Sequence, residues 1–220
     1  MIIIAEIGSS PSPAWDFGLW CDIAATCGAT HIKAQMFRAE HFPPAEWESK
    51  RLLEFPRHKI ERFAAEARGH RLLCGVSVFD AEAVTLAAMH CDFLKLAARE
   101  QFNQDLIDVA LRTHKPLFRS ISDDRANMVI SSTTLATVQL YPLPMLPALV
   151  AVTRWALWFR ANGAWRWGWS SHTRGILDCW LARRLGAVVI EKHLALNHLN
   201  VEAGHSLLPH EFRRMAEGLR

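Results

Sequence analysis

The chain has 220 residues, 50% of them apolar, and a formal net charge of +3. That length can bury one full core and makes a single domain the expectation, while the small, scattered charge argues against a nucleic-acid-binding surface and no apolar run of about 18 residues exists to span a membrane. Cys21, Cys27, Cys74, Cys91 and Cys179 are odd in number, sit in apolar stretches and form no CxxC pair, which reads as reduced core thiols of a cytoplasmic protein.

The opening MIIIAEIG lacks the basic start and cleavage site of a signal peptide and reads as a strand. From there, short β-rich runs alternate with amphipathic segments. Strands are predicted at 2–7, 30–35, 72–78, 93–96, 116–120, 135–141, 165–170 and 188–193. Helices are predicted at 17–27, 58–68, 81–90, 104–113, 176–185 and 209–219, with weaker signals at 123–130 and 146–159. Strands separated by crossover helices imply a parallel sheet, and this number of them closes a compact, single-domain (β/α)8 TIM barrel. The three-proline segment RAEHFPPAEWESKRLLEFPRHK reads as a long loop after the second strand, where lids and substrate contacts tend to sit.

In such a barrel the active site collects at the C-terminal ends of the strands. The residues predicted there are Glu6, Lys33, Gln35, Ser77, Lys95, Ser120, Ser122, Gln139, Ser170, His172, Glu191 and His193. Side chains two apart on a strand share a face, so Lys33 with Gln35, Ser170 with His172, and Glu191 with His193 each project together into one cavity. Lys192, between the last pair, faces the helical layer or turns out to solvent. Two lysines with the hydroxyls of Ser77, Ser120 and Ser170 suit an anionic phosphate ligand. His172 and His193, on neighbouring strands, can hold one divalent ion and leave positions open for water and substrate oxygens. Glu191 beside them can act as an acid, a base or a supporting partner. His31, His58, His70, His90, His114, His198 and His210 read as surface or structural, and Trp165, Trp167 and Trp169 as packing beneath the helices.

The words IIIAEIG, HIKAQMF, FLKLAA, GWSSHT and GAVVIEKHLAL, with SLLPHEF near the end, resemble in order and spacing the sialic acid synthase (N-acetylneuraminate synthase) family, whose members read AEIG, KFQ, FKIAS, SDHT and IEKHF. The resemblance implies condensation of phosphoenolpyruvate with an N-acetylated sugar aldehyde to give a nonulosonic acid and phosphate. Lys33, Gln35, Ser77, Lys95, Ser120 and Ser170 would then hold phosphoenolpyruvate. His172 and His193 would hold Mn2+, with Mg2+ and Co2+ as alternatives, and would act with Glu6 and Glu191 as the catalytic set. Full-length relatives are dimers, which carries a homodimer as an expectation.

The departures from that pattern cluster on the sugar side. The family's N-H-N-G after AEIG is replaced by SSPSPAWD at 9–16. Ser171 stands where the family has Asp, Ala98 where it has Ser, Ala136 and Thr137 where it has HC, and Glu202 where it has Asp. The sequence ends with the eighth barrel helix, so the family's C-terminal antifreeze-like domain is expected to be absent. Two other readings stand beside the synthase: a barrel of the same ancestry that only binds, and a metal-dependent aldolase or lyase acting on another substrate.

Overall fold

The computed structural model describes residues 1–8, 15–125, 132–164 and 166–220. Its centre is a closed barrel of parallel strands in chain order: β1 (Ile2–Gly8), β2 (His31–Met36), β3 (Leu73–Val78), β4 (Phe93–Leu96), β5 (Leu117–Ile121), β6 (Ser132–Ala136), β7 (Trp167–Ser171) and β8 (Val189–His193). The barrel shuts where β1 pairs with β8, with Glu6 opposite His193. Around it lie α1 (Phe17–Thr26), α2 (Trp47–Arg51), α3 (Ile60–Gly69), α4 (Ala81–His90), α5 (Gln104–Arg112), α6 (Met145–Ala161), α7 (Leu177–Arg184) and α8 (Pro209–Leu219). No helix among the described residues is long and apolar enough to cross a membrane.

Helix starts follow local chemistry. Asp16, Asp80 and Asn103 accept hydrogen bonds from the backbone N–H groups of Leu19 (3.2 Å), Ala83 (2.7 Å) and Leu106 (3.2 Å), capping α1, α4 and α5 at donors that lack a partner within the helix. Strand alternation sorts the side chains into two cores. Odd positions of β1 and even positions of β2 pack outward under the helices in one large cluster. The opposite faces fill the barrel floor with Ile4, Phe93, Phe118, Leu135 and Val189. Gly75 is part of that fit, since a Cβ there would lie 2.4 Å from the ring of Phe93. His31 is buried on this floor, its ring 5.4 Å from Phe93 and 6.3 Å from Phe118, so it is structural and points inward.

One strand is displaced from the sequence reading, and one weakly signalled helix is found where it was expected. Strand β6 ends at Ala136, before most of the predicted 135–141, because Ser132, Thr133 and Thr134 pair with Leu117, Phe118 and Arg119 of β5 and the chain turns at Val138, whose carbonyl accepts from Leu140 N. Helix α6, weakly signalled because Leu146, Val150 and Leu157 leave apolar side chains exposed on its outer face, is the longest helix described, at 17 residues. The helix expected at 123–130 lies mostly outside the described residues; its described start, 123–125, is irregular chain. Trp165 also lies outside them. Trp167 stacks on Phe159 at 5.2 Å, and the indole N–H of Trp169 donates to Asp178 at 2.8 Å, so both pack beneath the helices as expected.

Lys192 is fully buried between β8 and α7, where its ammonium donates to Ser171 Oγ (3.0 Å) and to the carbonyl of Thr173. It faces the helical layer and has no route to solvent. Ser171 faces the same way, so this departure from the family pattern does not touch the barrel mouth.

Candidate active site at the barrel mouth

A cavity of about 440 Å³ opens over the C-terminal strand ends. Glu6, Lys33, Gln35, Ser77, Lys95, Ser120, Gln139, Ser170, His172, Glu191 and His193 all line it, so the alternation argument brings these together. Ser122 is the exception. Its hydroxyl accepts from Gln101 (3.2 Å) and Gln139 (2.7 Å), and it lines a neighbouring cavity with Asp123, Arg154 and Trp158. The segment after β2, expected to be a long loop, instead carries the short helix α2, and it also reaches the mouth: Phe42, Lys50 of α2 and Leu53 line it with Arg99 from the loop after β4. The Lys50 ammonium and the Arg99 guanidinium lie 4.4 and 4.7 Å from the Phe42 ring centre, a cation–π arrangement that holds two positive charges at the entrance.

The cavity floor is a layer of compensated charge. Lys33 pairs with Glu6, donates to Ser77 Oγ at 2.7 Å and stands 3.9 Å from Glu191. Lys95 donates to both oxygens of Glu191, at 2.7 and 2.8 Å, and Ser170 Oγ adds a third bond at 2.8 Å. The side chains are buried, so neither lysine is a stem with its head in water. Burial pushes the Lys33 ammonium down to about 7, a shift that neighbouring Glu191 opposes. Burial alone would raise Glu191, yet Lys95 and Lys33 outweigh it and hold the carboxyl well below its usual range. Glu191 is therefore a carboxylate near neutral pH, fit to accept hydrogen bonds but, held so far below its usual range, a weak base.

One step further along β7 and β8, beyond Ser170 and Glu191, the imidazoles gather. His172 Nδ1 lies 3.0 Å from the carbonyl oxygen of Val138; a carbonyl can only accept, so Nδ1 carries the hydrogen and Nε2 keeps a free lone pair. Burial first, and then His193 nearby, pushes the imidazolium form of His172 well below the ordinary histidine range, leaving the neutral ring that a metal requires. His193 Nδ1 lies 2.8 Å from a carboxylate oxygen of Glu202, and by the same logic its Nε2 is the open nitrogen. Such a carboxylate–histidine pair fixes ring orientation where a cation binds.

The sequence reading overlooked His205, whose ring centre lies 4.6 Å from that of His193. His193, Glu202 and His205 offer ligand atoms within 4.8 Å of one another. The donor chemistry thus fits a divalent cation. The signal available in the sequence was position alone, since His205 directly precedes the SLLPHEF word. Tyr141 was also missed; its ring packs 4.2 Å from His172 and 5.2 Å from His205. Ala98 lines the cavity without a hydrogen-bonding side chain, as its sequence position implied.

A closed (β/α)8 barrel carries its functional face at the C-terminal strand ends, and here that face presents lysines, carboxylates and imidazoles together. The sequence narrows the class: a model of the NeuB family matches residues 20–220, and the chain belongs to that family. It is 31% identical over 160 residues to the pseudaminic acid synthase of Helicobacter pylori, an alignment covering 66% of this chain and 46% of that protein. The chain thus spans about half the length of this curated relative. Its fold superimposes on the N-acetylneuraminic acid (sialic acid) synthetase of Leptospira borgpetersenii, solved with citrate, with a TM-score of 0.87, 21% identity, and coverage of 99% of this chain and 82% of that one. It also matches the spore coat polysaccharide biosynthesis protein SpsE of Bacillus subtilis, with a TM-score of 0.78, 25% identity, and coverage of 100% and 67%.

Proposed function

We propose that this chain condenses phosphoenolpyruvate with an N-acetylated amino-sugar aldehyde, in the presence of a divalent cation, to give a nonulosonic acid and phosphate. The observation that carries the reading is the meeting of Lys33, Lys95, His172 and His193 in one cavity of a NeuB-family barrel. The similarity to a pseudaminic acid synthase supports an acceptor of the amino-sugar type. The five free, buried thiols support a cytoplasmic setting.

In this reading Lys33, Gln35, Ser77, Lys95, Ser120 and Ser170 hold phosphoenolpyruvate, and Lys50 and Arg99 draw the anion in. His172 and His193 hold the cation (Mn2+, Mg2+ or Co2+), which when bound supplies Lewis-acid polarisation of the aldehyde. The enol carbon C3 forms a bond to the aldehyde carbon, and the aldehyde oxygen takes up a proton to become a hydroxyl. Water adds at C2, and the C2–O bond to phosphate breaks to leave the keto acid and inorganic phosphate. Glu191, ionised and fixed by Lys95 and Ser170, holds the attacking water by a hydrogen bond; Glu6, paired with Lys33, takes that water's proton, which balances the one gained by the aldehyde oxygen.

The test is phosphate release from phosphoenolpyruvate, with Mn2+ or with chelator, across a panel of N-acetylated and plain aldoses. Metal-dependent release with one sugar supports the synthase and names the acceptor. A second reading, a barrel that binds without turnover, draws on Ala98, which brings no donor to the cavity. Binding of phosphoenolpyruvate with no release for any acceptor in the panel would favour it.

A further inference from the structure

We propose that His205 is a third imidazole ligand beside His172 and His193, making the site a three-nitrogen seat for a transition-metal dication, with Glu202 as the carboxylate that fixes the ring of His193. This rests on the reading of His172 and His193 as the cation site.

The geometry is the first support. The ring centres are 5.5 Å apart for His172 and His193, 4.6 Å for His193 and His205, and 6.0 Å for His172 and His205. With metal–nitrogen bonds of about 2.1 Å, a bound ring centre lies about 3.2 Å from the ion, so these separations correspond to angles at the ion of about 118° for His172 and His193, about 92° for His193 and His205 and about 139° for His172 and His205. His193 and His205 are the closest pair, and with Glu202 their ligand atoms lie within 4.8 Å of one another; His172 lies outside that group, at the wider angles.

Hydrogen bonding is the second. Val138 occupies Nδ1 of His172 and Glu202 occupies Nδ1 of His193, so each has Nε2 to offer, and the oxygen of Glu202 is engaged in orienting its partner. Neither ring nitrogen of His205 has a hydrogen-bond partner among the described residues. Tyr141 seats the rings of both His172 and His205 from one side.

The backbone is the third. His205 closes a short 3-10 turn, Ala203–His205, that is tied down on every side. Ser206 Oγ donates to the carbonyl of Glu202 at 2.6 Å, and Arg174 Nε to that of Gly204 at 2.9 Å. Leu207 N donates to the carbonyl of His193 at 2.8 Å, and Ala195 N to that of Leu207 at 3.0 Å. The backbone that carries His205 is therefore held to β8 before any ion arrives. Three imidazoles select ions of the manganese-to-zinc series over Mg2+, which prefers oxygen ligands and retains its water.

The experiment titrates the metal-free full chain with Co2+, following visible absorption and calorimetric affinity, with Mg2+ as competitor. His205→Gln is expected to weaken Co2+ binding about tenfold or more and to alter the visible bands, while its metal-free circular dichroism melt matches the parent; His205→Asn repeats the measurement should the Gln variant fail to fold. If His172→Ala and His193→Ala abolish Co2+ binding while His205→Gln keeps affinity within about twofold and the same spectrum, the third ligand is wrong and the two-histidine reading stands. If His172→Ala and His193→Ala both bind Co2+ like the parent, that underlying reading falls and this one with it. Displacement of Co2+ by equimolar Mg2+ would overturn the preference for a transition metal.

Discussion

The carboxylate of Glu202 meets Nδ1 of His193 at 2.8 Å, joining the loop after β8 to the last residue of that strand. Removing this contact while preserving shape isolates its role. Glu202→Gln is expected to lower divalent-cation affinity about 10- to 100-fold, the usual effect of losing an orienting carboxylate, with little change in thermal stability. Titration with Mn2+ or Co2+ checks it.

Gly8 sits against the same carboxylate. Its φ is +62°, and a Cβ built there would lie 1.8 Å from a Glu202 oxygen. Gly8→Ala therefore combines left-handed backbone strain with displacement of Glu202. It is expected to destabilise the fold by about 1–3 kcal/mol and to weaken cation binding as Glu202→Gln does. Urea unfolding read beside a metal titration separates the two effects.

Lys33 gives a pH prediction. Its ammonium is held near 7 by burial, so at higher pH the free site loses that positive charge. An anionic ligand favours the charged form, so binding draws in a proton above pH 7. Affinity for phosphoenolpyruvate is expected to fall as pH rises through 7, by up to about tenfold per unit. Calorimetry in two buffers of different ionisation enthalpy measures the uptake, and Lys33→Met should abolish it.

Lys95 and Glu191 form a buried pair whose members depend on each other. Lys95→Met alone leaves Glu191 with less compensation and is expected to cost about 3–5 kcal/mol. The double variant Lys95→Met with Glu191→Gln should cost less than the sum of the two single changes. A double-mutant cycle by urea denaturation reads the coupling.

Most strand positions were legible because β-branched and aliphatic runs such as Val188, Val189 and Ile190 mark a buried parallel strand, and a period of two then dictates which residues face the mouth. That logic found Lys33, Lys95, His172, Glu191 and His193. It failed for β6, where Ser132, Thr133 and Thr134 form the strand without an apolar run. His205 and Tyr141 escaped for another reason. Tyr141 stands past the true end of β6, on chain read as strand, and His205 on a loop placed over the barrel by backbone bonds such as Leu207 N to the His193 carbonyl.

The pairing of β1 with β8 also bears on how the chain reaches its fold. The hydrogen bonds of the Lys95 ammonium go to Glu191, on the last strand to be synthesised. A seven-stranded intermediate that had already packed Lys95 inward would carry a buried ammonium without its counter-ion, a state that costs several kcal/mol. Docking of β8 supplies that carboxylate in the same event that seals the seam. The strand that closes the barrel also carries the counter-ion of Lys95, so the complete site exists only in the closed barrel.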